Sequence, residues 1–175
     1  KRGVIAPGSL QETTKGPIGL SADCFALFDS ISGGKPISDE IADEVLAINL
    51  DFRDQITSAY DPKEEKYECH VPLDAAGYNQ KVFVYDLKTG VWSFTTRAGG
   101  AAKYGLNSKM RVVSLLGDPR NGRVYDTSDY SAVDFAGQKI RSVWRSKQID
   151  FGHPEALQGV PRLILSARAV TDFQL

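Results

Sequence analysis

The clearest pattern of hydrophobic and polar positions lies over residues 82–94, VFVYDLKTGVWSF, where two β-branched and aromatic runs flank the turn sequence from Asp86 to Gly90. Short β-branched and aromatic runs mark strands, and Asp and Gly between them mark a tight connection, so the stretch predicts a β-hairpin. Asp118-Pro-Arg-Asn-Gly122 repeats the turn at an offset of 32 residues, followed by the strand-like Arg123-Val-Tyr-Asp126. Asp61-Pro-Lys-Glu-Glu-Lys66, leading into Tyr67-Glu-Cys-His-Val71, is a looser copy upstream. A hairpin unit recurring in this way predicts a repeat all-β architecture, most simply the blades of a β-propeller.

The remaining elements follow from the same patterning. Residues 1–19, with Pro7, Gly8, Gly16, Pro17 and Gly19, read as an irregular opening segment with room for one short strand. Residues 20–28 supply one or two strands around Asp23, and residues 29–36 a glycine-containing turn. Residues 38–48 predict the one helix. Ser38 is placed to act as N-cap, Asp39 and Glu40 suit the positive N-terminal end, and Ile41, Val45 and Ile48 share a face, with an end near Asn49. Residues 51–60 fit either an extension of that helix or the first strand of the next unit. Strands are expected at 67–71, 81–86, 91–96, 111–116, 123–125, 139–149 and 162–170, while residues 97–109, with four glycines or asparagines, read as a loop. The expected fold is therefore mainly β, with propeller-like antiparallel hairpins or blades, one short helix and a single domain over residues 1–175.

Within the central hairpin, Lys81, Phe83, Tyr85 and Leu87 lie on one side of a strand and Val82, Val84 and Asp86 on the other. Both sides are largely apolar, which predicts an inner strand, with Trp92 and Phe94 facing a neighbouring blade or sheet. Phe83, Tyr85, Trp92, Phe94 and Trp144 are the expected structural core. A ligand platform built on Trp92 is the sharper alternative.

Composition changes this picture little. The chain has 175 residues, 42% of them hydrophobic and 25% charged, which fits a globular protein and excludes disordered and collagen-like classes. No apolar run approaches the roughly 18 residues of a membrane-spanning helix, so no membrane span is expected. A start at Lys1 without Met, and an end at Leu175 just after a strand-like run, read as a fragment of a longer polypeptide. The net charge of −1 hides a polarity, since residues 1–87 hold 8 basic and 15 acidic side chains and residues 88–175 hold 13 and 7. Such asymmetry steers one copy onto another or one face towards nucleic acid, unless it only solvates two surfaces. Cys24 and Cys69 sit in apolar, strand-like surroundings and read as buried hydrophobes, a pairing between them remaining open; so few cysteines fit a reducing cytoplasm.

The candidate chemistry is sparse. Only His70 and His153 are available as bases for a nucleophile, and His70 alternates with Cys69, which sends the two side chains to opposite faces. His153, in Gly152-His153-Pro154, reads as a turn residue. Two histidines and two cysteines without CxxC or HxxxH spacing carry no zinc signature, and no cofactor is expected. Asp39/Asp43 and Glu40/Glu44 read as an acidic solvated helix face. Gly33-Gly34-Lys35 lacks the preceding glycine of a phosphate loop and has Pro36 where Ser or Thr belongs. Arg141, Arg145 and Lys147 are more suggestive, falling on one strand face opposite Trp144. Three like charges there seek the acidic half of an adjacent copy or a phosphate backbone, unless the strand is simply solvated, and they form the candidate assembly interface.

Two resemblances attach to these residues. Tyr85 and Trp92, with six residues between them, are spaced like the Tyr and Trp of a kelch blade, although the Gly-Gly that precedes them there is missing. The order of elements resembles the tail nozzle or tail-hub proteins of short-tailed bacteriophages, the tail tubular protein B group. The matching features are the strand LSADCFALF from Leu20, a glycine turn with Pro36-Ile-Ser-Asp-Glu-Ile41, the hairpin from Ala59 to Tyr67, the turn from Val84 to Trp92, and the closing stretch IRSVWRSKQIDFG from Ile140. The resemblance covers residues 18–165 and rests on aromatic hairpins. It implies a non-enzymatic virion component made in the host cytoplasm, a propeller-containing subunit in a homo-oligomeric ring below the portal and adaptor. Tail fibre or spike proteins would be further partners, and DNA would pass with transient, non-specific contact. Because a whole nozzle subunit is larger, this chain would supply a few blades whose edges are completed elsewhere. Other classes of function that suit such a chain are a carbohydrate-binding or glycosidase propeller and a kelch-like interaction module.

Overall fold

A computed structural model describes residues 3–29, 33–75 and 77–127. All of them belong to one unit, Lys1–Ser128. The expected strands at 139–149 and 162–170, and with them the far end of the single domain over residues 1–175, lie outside the described residues.

The described chain is mainly β, with three antiparallel sheets met in sequence order. The first holds β1 (Ile18–Leu20), β2 (Phe25–Asp29) and β3 (Gly33–Pro36). The second is a four-stranded meander of β4 (Thr57–Asp61), β5 (Lys66–Val71), β6 (Lys81–Asp86) and β7 (Val91–Thr95). The third holds β8 (Ala101–Leu106), β9 (Val112–Asp118) and β10 (Arg123–Asp126). Between the first and second sheets lie the helix α1 (Ala42–Leu46) and two flanking 3-10 segments, Asp39–Ile41 and Leu50–Gln55.

The three turns of the repeat are one device. Asp61 Oδ1 accepts from the backbone N–H of Lys63 (2.9 Å) and Glu64 (3.2 Å), and Asp86 Oδ1 from Lys88 (2.8 Å) and Thr89 (3.1 Å). Asp118 Oδ1 accepts from Arg120 N–H at 2.9 Å. An aspartate thus supplies the local hydrogen bonds that bend the chain. The fifth residue of each turn is left-handed: Glu65 at φ 56°, Gly90 at 74° and Gly122 at 68°. Only the first copy places a residue with a Cβ there, at a cost of about 1–2 kcal/mol. Glu65→Gly is therefore expected to raise stability by about 0.5–1 kcal/mol after allowing for the extra freedom of glycine in the unfolded chain, and Gly90→Ala to lower it. Urea denaturation of the two variants checks this, and a less stable Glu65→Gly protein would remove the turn equivalence.

Several expectations are corrected. The helix is shorter than residues 38–48, because the backbone breaks at Ile41 (φ −124°, ψ 27°) and the α-helix proper has five residues. Ser38 does not cap it; its Oγ instead accepts from Phe25 N–H at 2.9 Å and ties the segment to β2. Asp39/Asp43 and Glu40/Glu44 straddle that break, and Glu44 forms an ion pair with Lys81. Residues 51–60 contain both alternatives, a 3-10 segment and then β4. Gly33-Gly34-Lys35 is strand rather than turn, paired with β2. The loop expected over residues 97–109 contains β8, because Ala101 to Leu106 pair along their whole length with Gly117 to Val112 of β9.

The opening segment is also more ordered than its composition implies. Ala6 and Ser9 are fully buried. Ser9 Oγ donates to Ala6 O and accepts from Leu20 N–H, its carbonyl accepts from Tyr67 Oη at 2.6 Å, and Gly8 O accepts from Ser58 Oγ at 2.7 Å. Gly8 is required there, since a Cβ would sit 2.0 Å from Ile56 O. The segment is pinned between the first and second sheets by polar groups that no periodicity reveals.

Candidate functional site

The second sheet presents two chemically different faces. Tyr67, Cys69 and Val71 alternate with Glu68 and His70 along β5, and the register pairs Tyr67 with Tyr85, Cys69 with Phe83 and Tyr85 with Trp92. One face is consequently aromatic. It closes on Phe25 of β2, whose ring centroid lies 4.9 Å from Trp92, 5.4 Å from Phe83 and 6.1 Å from Tyr67. Trp92 also packs on Tyr85 at 4.8 Å and donates its indole N–H to Ile37 O at 2.7 Å.

These contacts decide between the two roles open to Trp92. With 8% of its surface exposed and its one polar group bonded, it is a core residue and offers no ligand platform. Phe83 is fully buried and Tyr85 half-buried. Phe94, expected in the core, is 43% exposed. It shares the face of Trp92, but β7 is an edge strand and the packed layer ends before it, so Phe94 covers Phe83 on one side (5.2 Å) and Lys81 Nζ lies 4.3 Å from its ring. Trp144, Arg141, Arg145, Lys147 and His153 lie outside the described residues.

The opposite face of the second sheet carries Glu68 and His70 beside Val82 and Val84, and meets the third sheet. Tyr104 Oη of β8 donates to Glu68 Oε1 at 3.0 Å, and burial raises the Glu68 carboxyl above its usual range. His70, 2% exposed, accepts from Gly99 N–H through Nδ1 at 3.1 Å. Burial, with Arg97 as a nearby positive charge, lowers His70 to about 4, so the ring is neutral at pH 7. Asn79 donates from Nδ2 to Gln55 O and to Gly99 O, each at 2.8 Å. Asp118, at the end of β9, receives Arg120 through both carboxylate oxygens at 2.9 Å, which lowers its carboxyl.

Cys69 and His70 point to opposite faces, as their alternation requires. Cys69 lies in the aromatic layer, where burial pushes its thiol up to about 12. Cys24 is also buried, and no disulfide joins the two. Among the described residues no cluster of three or more His, Cys, Asp or Glu side chains is placed to hold a metal, and no helix is long and apolar enough to cross a membrane. The polar set of Glu68, Asn79, Gly99 and Tyr104 escaped sequence reasoning, because its members come from separate strands and linkers; Gly99-Gly100 was the only local signal. No protein-family model matches the chain, and no curated protein matches it.

Proposed function

We propose that the chain is a structural subunit of a short-tailed bacteriophage tail nozzle, working as part of a homo-oligomeric ring through which DNA leaves the capsid. The observation that carries this reading is the succession of three antiparallel sheets in chain order, the second reached through the helical segment 37–56 and the third through the short linker 96–100. The first strands of the second and third sheets, β4 and β8, pack together. Stacked meanders with adjacent inner strands are what propeller blades require. Among the described residues β7 and β10 end their sheets without a further strand outside them, and such edges are ordinarily covered by neighbouring chain. The burial of Trp92 favours a structural role over a carbohydrate-binding propeller, which needs an exposed aromatic platform.

In this reading the acidic first half of one copy meets the basic second half of the next, a head-to-tail contact that closes into a ring. The portal and adaptor, and tail fibre or spike proteins, are the proposed virion partners. Electron microscopy of the protein in its full length is expected to show a closed ring with a central channel. Association should weaken as salt rises, and Arg141→Glu together with Arg145→Glu should impair ring formation with an unchanged monomer fold. A protein that stays monomeric at low salt would overturn the proposal. A charge-reversed protein that assembles normally but loses salt-sensitive DNA binding would reassign the basic face to nucleic acid.

A further inference from the structure

We propose that an internal water molecule resides at the joint between the second and third sheets, bridging His70 Nε2 and Asn79 Oδ1. Both side chains are buried, at 2% and 3% exposure, and both hold the same residue of the linker that joins the two sheets. Gly99 N–H donates to His70 Nδ1 at 3.1 Å, and Gly99 O accepts from Asn79 Nδ2 at 2.8 Å.

Those bonds determine what the remaining atoms offer. A neutral imidazole that accepts at Nδ1 carries its proton on Nε2, so Nε2 is a donor. The Asn79 amide commits both hydrogens, one to Gln55 O and one to Gly99 O, which sets its orientation and leaves Oδ1 as an acceptor. Nε2 and Oδ1 are the two buried side-chain atoms without a protein hydrogen-bond partner among the described residues. Gly99 itself is closely packed against β9, where a Cβ would meet Leu116 Cδ1 at 2.4 Å and Gly117 O at 2.8 Å.

One orphan donor and one orphan acceptor, each a ring or an amide width beyond an atom that is bonded to Gly99, are complementary to a ligand that accepts once and donates once. A cation is disfavoured by the Nε2–H and by the positive charge of Arg97, which acts on His70. An anion would gain one donor and face the Oδ1 lone pairs. Water fits both groups and is the usual occupant of polar interior sites of this kind.

The test uses the whole chain with 15N-labelled histidine, together with a high-resolution crystal structure. The nitrogen spectrum is expected to show His70 protonated on Nε2, and cross-peaks from water to that proton should have opposite signs in NOE and ROE experiments, the mark of a long-lived internal water. The crystal should show a density peak within hydrogen-bonding distance of both atoms. A proton on Nδ1, a direct bond between Nε2 and Oδ1, or a peak that touches only one of them would overturn the proposal.

Discussion

Replacing Trp92 by alanine is expected to destabilise the protein by about 3–5 kcal/mol, the usual cost of removing a buried aromatic side chain. The residue stacks on Phe25 and Tyr85 at centroid distances of 4.9 and 4.8 Å, so its loss opens a cavity where the first sheet meets the second. It also leaves Ile37 O without its indole donor, which adds roughly 1 kcal/mol if water cannot reach the carbonyl. Against a total stability of about 5–15 kcal/mol for an ordinary domain, this is a large fraction. Trp92→Phe keeps most of the stacking and should cost about half as much. Urea denaturation of both variants measures the difference. A Trp92→Ala protein with unchanged stability that fails to bind a sugar would instead make Trp92 a ligand platform.

Acid is expected to weaken the joint between the second and third sheets through His70. Its folded value of about 4 lies below the ordinary 6.5, so its contribution is fully present above pH 6.5 and is lost as pH falls towards 4. At about 1.36 kcal/mol per pH unit, the contribution lost across that window is about 3 kcal/mol. Glu68 acts in the other direction, because its carboxyl is raised and protonation favours the folded state as pH falls. The two are separated by comparing the protein with His70→Gln, which retains an acceptor for Gly99 N–H but does not titrate. The stability advantage of the parent over the variant should shrink between pH 6.5 and pH 4. An advantage that is independent of pH, or a His70 that titrates near 6.5, would refute the assignment.

The parts of the fold legible in the sequence are those whose physics is local. Asp86 to Gly90 and Asp118 to Gly122 announce their turns because the aspartate carboxylate bonds the backbone two residues on and glycine accepts the left-handed position that follows. The copy at Asp61 is fainter because Glu65 occupies that position, yet the same turn forms. The two-sided apolar character of residues 81–87 marks an inner strand, and β6 lies between β5 and β7. Residues 101–106, AAKYGL, carry little β-propensity and were read as loop; pairing with β9 and the Tyr104 bond to Glu68 make them a strand.

What the sequence determined by itself is the class of structure: alternation, turn chemistry and the scarcity of helical periodicity commit the chain to antiparallel hairpins. It also assigned side chains to opposite faces, as with Cys69 and His70. Only the tertiary structure decided what each face meets. Trp92 is core because Phe25 and Ile37, more than fifty residues earlier, close over it, whereas Phe94 on the same face stays exposed because the packed layer ends there. Ser38 serves β2 instead of a helix, and His70 serves Gly99 instead of a nucleophile. A period of two records which side of a strand a residue takes; the partner on that side comes from a distant part of the chain, and no local pattern encodes it.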